Sequence, residues 1–253
     1  MTPVAVEVRA LSHTYPDGTP SLRGIDLRIE VGESVALVGA NGAGKSTLLL
    51  HLNGLLMPGA GEVRIGGLAV ERESLARVRR TVGFVFQDAD DQLFMPTVRE
   101  DVAFGPSNQD LPVEVVEARV RAALESVGAW SLAARAPYRL SGGEKRAVAI
   151  AGVLAMEPSI LVLDEPSSGL DPAARRRLIG LLQSLPQTCV IATHDLDLAL
   201  EVCRRVVVMH EGRVEADGPP DALFADRELL LRCRLEPPLS RQGPPRFSTG
   251  RAA

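Results

Sequence analysis

The sequence predicts an α/β protein built on a mainly parallel sheet, with a helical lobe inserted near its middle. Three observations predict it. Short, valine-rich apolar runs alternate with helical patterns, the arrangement that βαβ units and a parallel sheet require. Between about residues 88 and 157 the pattern turns wholly helical. A glycine-rich turn, Gly39 to Ser46, joins a buried strand to a leucine-rich helix.

The elements follow in order. VAVEVRA and IDLRIEV alternate as strands do, with PDGTPS as the turn material between them. ESVALVG is a buried strand ending at Gly39, and KSTLLLHLNGLL carries leucines at helical spacing. GEVRIGG is a further short strand, and VGFVFQ is a buried strand ending at Gln87. In the lobe, TVREDVAFG opens on Thr97 with Glu100 three residues later, a capping box. PVEVVEARVRAALESVG is a helix that stops at Gly128, and SGGEKRAVAIAGVLAM is another. ILVLDEP returns to a buried strand. PAARRRLIGLLQSL is a helix with proline in its first turn. CVIATHD is a strand, DLDLALEVC a helix, and RVVVMHEGRVEADG a hairpin turning at Glu211-Gly212. The main domain is expected over residues 1–236. Residues 237–253, rich in Pro, Gly and Ser, read as a flexible tail.

Composition narrows the class. With 253 residues and 45% apolar content the chain can bury one large core. No apolar run approaches the roughly 18 residues a membrane span needs, and the N-terminus lacks a basic start before a long apolar stretch, so a cytosolic protein without a signal peptide is expected. Cys189, Cys203 and Cys233 are scattered and form no C-x-x-C, which predicts reduced core thiols. A net charge of −4 gives no nucleic-acid footprint.

The glycine-rich turn carries the first chemistry. Gly39, Ala40, Asn41, Gly42, Ala43, Gly44, Lys45 and Ser46 spell G-x-x-x-x-G-K-[ST], followed by Thr47. Glycines let successive N–H groups point inward at one anion, and the helix N-terminus adds its positive end. Lys45, one of only two lysines in the chain, supplies a point charge for phosphates, and the Ser46 hydroxyl can ligate Mg²⁺. A plain glycine turn explains neither the lysine nor the hydroxyl. Phosphate binding alone fits kinases, GTPases, helicases and transporter ATPases.

Two further motifs narrow that choice. ILVLDEP places Asp164 at the end of a buried strand, suited to hold Mg²⁺ through water, and Glu165 next to it as general base for the attacking water. LSGGEKR, Leu140 to Arg146, puts Ser141, Gly142 and Gly143 at a helix start, where exposed N–H groups can hold a second phosphate. Ser141 and Glu144 form a capping box by themselves, but capping does not explain the paired glycines.

In the kind and order of these motifs the chain resembles the ATP-binding-cassette (ABC) ATPases over nearly its whole length. The matching residues are GANGAGKST, Gln87, LSGGEKR, ILVLDEP, SSGLD and His194. The resemblance implies a RecA-like parallel-sheet core, an N-terminal antiparallel β subdomain and a helical subdomain over about 88–157. It implies that Gln87 senses the γ-phosphate and Mg²⁺, that Asp171 closes the D-loop, that His194 contacts the γ-phosphate, and that Tyr15 stacks on adenine. ATP and Mg²⁺ are the implied ligands, with Ser46, Gln87 and Asp164 toward the metal. Glu144 departs from the usual glutamine. In the family each ATP lies between the P-loop of one subunit and the LSGG turn of another, so a second ATPase subunit is implied, with a homodimer expected over a heterodimer.

The stretch DADDQLFMPTVREDVAFGP, after Gln87, looks like the ATPases of energy-coupling-factor (ECF) importers. There this helix receives the transmembrane T-component, and a substrate-capture membrane protein completes the complex. Phe94, Met95, Val98 and Phe104 would give apolar contact, and Asp90, Asp91 and Glu100 would attract partner arginines. The short C-terminus resembles the cobalt or nickel type. The implied location is the cytoplasmic face of the membrane, and no nucleic-acid partner is implied.

Overall fold

A computed structural model of the chain describes residues 3–243. Two sheets form its frame. The first is antiparallel, in the order β2-β1-β4-β5, from β1 (Val4–Thr14), β2 (Pro20–Glu30), β4 (Ala60–Ile65) and β5 (Leu68–Ala69). The second has the order β10-β9-β3-β8-β7-β6. It contains β3 (Ser34–Val38), β6 (Val82–Val85), β7 (Ile160–Asp164), β8 (Thr188–Thr193), β9 (Arg205–His210) and β10 (Arg213–Gly218). All its pairings are parallel except that of β9 with β10. The helices are α1 (Lys45–Leu52), α2 (Leu75–Thr81), α3 (Val98–Ser107), α4 (Val113–Ser126), α5 (Gly142–Leu154), α6 (Pro172–Ser184), α7 (Leu196–Val202), α8 (Pro220–Ala225) and α9 (Arg227–Arg232).

The parallel strands are buried on both faces, which is why they read as unbroken apolar runs. Strand alternation sends their side chains into two layers. Val35, Leu37, Val162 and Val190 join α1 and the antiparallel sheet in one core. Ala36, Val38, Leu161, Leu163 and Ile191 face the opposite way and pack with α5, α6, α7 and α9 in a second. The lobe has its own core of Val98, Val102, Val120, Leu124 and Val148. Helix α5 serves two of these cores: Val148 packs in the lobe, while Ile150 and Val153 pack under the sheet. The lobe is therefore bolted to the body along one helix.

Three expectations change. Glu100 does not complete a box at Thr97: the Thr97 hydroxyl caps the helix through the Glu100 N–H and also donates to Glu100 Oε2 at 2.7 Å. The expected tail begins on docked residues. The Leu239 and Ser240 N–H groups donate to the Asp197 carboxylate at 2.8 and 3.1 Å, and Arg241 pairs with Asp221. Asp197 lies in the first turn of α7, so the carboxylate anchors this segment where composition alone suggested none. The remainder of that tail, 244–253, lies outside the described residues. Third, α2, α8 and α9 were not read from the sequence.

Candidate active site

Sheet register brings the motifs to one edge. Val38 of β3 lies opposite Thr193 of β8, and Asp164 of β7 opposite Ala192 of β8. The residues that follow each strand, namely the Gly39–Ser46 turn, Glu165 and His194, therefore emerge together at the carboxyl ends of parallel strands. Ligands bind there in open α/β sheets.

The turn needs its glycines at particular points. A Cβ on Gly39 would sit 2.4 Å from the Met209 carbonyl oxygen. Gly44 has φ +100°, and its Cβ would meet the Ser21 carbonyl oxygen at 2.8 Å. The β9–β10 hairpin backs the turn, since the Gly212 N–H donates to the Ala43 carbonyl at 3.1 Å.

Lys45 folds back over the turn. Its Nζ donates to the Gly39 carbonyl at 2.7 Å and lies 3.8 Å from Glu165 Oε1, both side chains being buried. Burial pulls the ammonium below its ordinary value, against the carboxylates of Glu165 and Asp164. Burial pushes the Asp164 carboxyl up, while the neighbouring Ser46 hydroxyl opposes the shift. Asp164 Oδ1 is buried without a hydrogen-bond partner among the described residues.

Glu165 is fixed from both sides. Its backbone takes φ +44°, in the left-handed region that costs a non-glycine residue about 1–3 kcal/mol. Its N–H donates to the Ala192 carbonyl at 2.8 Å. One carboxylate oxygen, Oε2, accepts from the His194 N–H at 3.1 Å and lies 2.7 Å from His194 Nδ1. A carboxylate only accepts, so Nδ1 carries the proton and Nε2 is left as the outward atom.

A cleft of about 540 Å³ is lined by Tyr15, Asn41, Gly42, Ala43, Gly44, Lys45, Ser46, Thr47, Gln87, Glu165 and His194. Thr19, Pro20 and Ser21 complete its wall, and the sequence reading missed them. Tyr15 is held to α1: its hydroxyl lies 2.9 Å from Thr47 Oγ1, which also accepts from the Ser21 hydroxyl at 2.7 Å. Gln87 is exposed, and its backbone carbonyl, with that of Phe86, accepts from the buried Arg146 guanidinium. Arg146 is a second miss, although it closes the LSGGEKR motif.

Ser141, Gly142, Gly143 and Glu144 do not line that cleft. They open α5, where the capping box forms as expected: Ser141 caps the Glu144 N–H, and Glu144 Oε2 accepts from the Ser141 N–H at 2.8 Å. The Ser141 backbone and hydroxyl hold the Glu144 carboxylate below its usual range. A Cβ at Gly142 would meet nothing within 4 Å among the described residues. No close neighbour among the described residues accounts for that glycine.

The expected partner groove is also revised. Phe94 and Phe104 are exposed and meet edge to face at 5.0 Å. Met95 is half-buried, whereas Val98 is fully buried in the lobe core and offers no surface. Asp90 already pairs with Lys145 at 2.6 Å, and Glu100 accepts from Thr97. Asp91 stays exposed. The buried Asp101 shapes the loop, its Oδ1 accepting from the Phe94 and Met95 N–H groups at 3.0 Å each.

Comparison with known proteins closes the assignment. A family model described as ABC transporter matches residues 22–168. A relative from Geobacter sulfurreducens, whose name reads ABC transporter ATP-binding protein, is 64% identical over 95% of this chain and 96% of its own. The energy-coupling factor transporter ATP-binding protein EcfA of Methanothermobacter thermautotrophicus is 52% identical over 92% of this chain and 76% of its own. Among solved structures, cbiO1 from Clostridium perfringens, part of the ABC transporter complex cbiONQ, aligns with a TM-score of 0.81 at 41% identity, covering 91% of this chain and 94% of that one. An ATP-binding cassette solved as a dimer with ADP and Pi aligns at 0.78 and 30% identity, over 85% of this chain and 98% of that one. The fold class expected from the sequence is thus the one these neighbours share. With more than half of the chain inside the family model and such relatives along nearly all of it, the chain belongs to the ABC transporter family, as an ATP-hydrolysing subunit of the energy-coupling-factor type.

Proposed function

We propose that this chain, as a homodimer on the cytoplasmic face of the membrane, converts ATP hydrolysis into import of a cobalt or nickel ion. The observation that carries the ATPase chemistry is the junction of Lys45, Glu165 and His194 at one strand edge. Lys45 and the Gly39–Thr47 backbone would hold the phosphates. Glu165 would take the proton of the attacking water, His194 Nε2 would face the γ-phosphate, and Tyr15 would support the adenine. Mg²⁺ fits the donors present: the orphaned Asp164 Oδ1 and the Ser46 hydroxyl are hard oxygen ligands, with the Gln87 amide across the cleft. When bound, the ion neutralises charge on the phosphate oxygens.

Two features support the dimer. The Ser141–Glu144 turn lies outside the Lys45 cleft, and Gly142 has open space where a Cβ would be. A phosphate brought by a second copy would fill that space. Partner docking is supported by the exposed Phe94–Phe104 pair with Asp91 nearby, a surface suited to an apolar helix bearing arginine. Among the described residues no helix is long and apolar enough to cross a membrane. The cobalt or nickel assignment rests on similarity to cbiO1, part of the ABC transporter complex cbiONQ.

The test is a mild-detergent pull-down of the tagged chain from host membranes, with every co-purifying protein identified. One integral membrane partner, a small capture protein and no second ATPase are expected. A second ATPase overturns the homodimer and favours a vitamin-type ECF importer. Recovery of soluble ribosomal or DNA-bound material alone overturns the transport reading.

A further inference from the structure

The segment after Gln87 is tied to α5 by side chains outside the Lys45 cleft. Gln92 Nε2 donates to the Ala149 carbonyl at 2.7 Å, while its Oε1 accepts from the Phe86 N–H at 3.4 Å. Lys145 Nζ donates to Asp90 Oδ1 at 2.6 Å. Lys145 directly follows Glu144, in the first turns of α5. A cation is disfavoured there, because the helix N-terminus is itself positive. Asp90 supplies the compensating charge, which accounts for the second of the chain's two lysines.

The two ends of the pair differ in exposure. The Lys145 side chain is 20% exposed and Asp90 is 65% exposed. Asp90 opens onto the lobe surface, four residues before Phe94, while Lys145 lies inward beside the Ser141–Glu144 turn. One ion pair thus joins the segment that leads to Phe94 to the turn that would meet a second chain's nucleotide.

We infer that Asp90 and Lys145 are a positioning pair that sets the Ser141–Glu144 turn against the Gln87 segment and reports docking at the lobe to that turn. The inference rests on reading Phe94 and Phe104 as the partner face. A cationic side chain of a docked partner competes with Lys145 for Asp90. Neither residue touches the reacting atoms. Their effect falls on how well the turn meets ATP, and so on apparent ATP affinity more than on turnover.

The test uses the purified full chain, carrying Asp90→Asn, Lys145→Met or the double swap Asp90→Lys/Lys145→Asp, with Asp91→Asn as control. Two quantities are read: the ATP concentration at half-maximal hydrolysis, and that at half-maximal dimer formation in a Glu165→Gln background, by sedimentation. Each single neutralisation should raise both about three- to fivefold, the scale of a partly exposed ion pair. kcat should change less than twofold, the swap should return to within twofold of wild type, and Asp91→Asn should match it. Single variants that match wild type, or a swap no better than the singles, overturn the pair's role. Because this arm contains no membrane partner, its failure leaves the importer reading standing. Failure of the membrane pull-down with an intact swap rescue removes the importer reading and the docking report with it, and leaves only the pair's positioning of the turn.

Discussion

His194 and Glu165 share one carboxylate oxygen: Oε2 accepts the His194 backbone N–H at 3.1 Å and its Nδ1–H at 2.7 Å. The relationship couples a buried acid to an exposed ring, with side-chain exposures of 8% and 63%. It fixes the tautomer of the ring and leaves Glu165 Oε1 facing Lys45 at 3.8 Å. A base in this position has one oxygen held and one free to accept a proton. Glu165→Gln keeps the shape and removes the base. Hydrolysis should fall by about 10²–10⁴-fold while ATP binding persists, and the chain should accumulate as an ATP-bound dimer. Single-turnover kinetics and sedimentation with ATP read both; normal turnover would remove Glu165 from the chemistry.

Lys45 is satisfied inside the chain by the Gly39 carbonyl, so its loss leaves that acceptor and Glu165 without their buried cation. Lys45→Ala should weaken ATP binding by roughly a hundredfold, the equivalent of one or two charge-assisted hydrogen bonds. Isothermal titration with ATP in the Glu165→Gln background checks it, and tight binding there would contradict the phosphate role.

Much of this site was legible because its chemistry is local. The spacing of Gly39, Gly44, Lys45 and Ser46 sets a backbone conformation within eight residues, and the apolar runs before Asp164 and His194 announce strands that end there. The contacts that assemble the motifs across the fold were not legible. Arg146 reaches the carbonyls of Phe86 and Gln87 some sixty positions earlier, and Lys145 reaches Asp90 from the same helix. Nothing in a single strand or helix pattern encodes such pairs. The same limit applies to Val98: the resemblance to ECF ATPases made it a partner-contact candidate, but the lobe packs α3 against α4 and α5 with Val98 inside. It also misjudged the start of the tail, where one carboxylate, Asp197, holds two backbone amides.

Gly42 and Gly44 separate conformational strain from steric contact. Both have left-handed φ, +79° and +100°, but a Cβ at Gly42 meets nothing within 4 Å among the described residues, whereas at Gly44 it strikes the Ser21 carbonyl and Leu22. Gly42→Ala should cost about 1–2 kcal/mol, the left-handed penalty alone. Gly44→Ala should cost that plus about 1–3 kcal/mol of overpacking. Urea unfolding of the two variants gives the difference directly, and equal midpoints would refute the contact.

Behind Tyr15, His51 is fully buried on α1, with Nδ1 on the Thr47 carbonyl at 2.7 Å and Nε2 without a well-formed hydrogen bond among the described residues. The His13 ring meets it at 4.8 Å. Burial is the main cause holding its basicity below the ordinary value of 6.5, with His13 adding to it and the Thr47 and Met57 carbonyls opposing. The folded state therefore resists a proton that the unfolded chain accepts. The contribution is intact above the unfolded value and is lost as pH falls below about 6.5 toward the lower folded value, with a slope of up to about 1.4 kcal/mol per pH unit. His51→Gln cannot titrate, so its stability should fall less steeply than wild type between pH 6.5 and 5, whatever its offset. Urea midpoints across that range measure the two slopes; parallel curves would show that His51 is not the group the folded state keeps neutral.

The lobe surface makes the last prediction. Phe94 and Phe104 are 62% and 47% exposed, yet they sit ring against ring, Phe94 on a loop held by the buried Asp101 and Phe104 on α3. Exposed side chains of this kind contribute little to folding, so Phe94→Ser with Phe104→Ser should shift stability by no more than about 0.5 kcal/mol per site. Asp101→Ala acts differently, because it frees the Phe94 and Met95 amides and lets the loop move. If the pair is the docking face, the double serine variant should lose its membrane partner in the detergent pull-down while its melting curve stays in place. Asp101→Ala should lose the same partner with both phenylalanines present. A double variant that still captures the partner would move the docking face away from this surface, and with it the reason for an aromatic pair to stand in water.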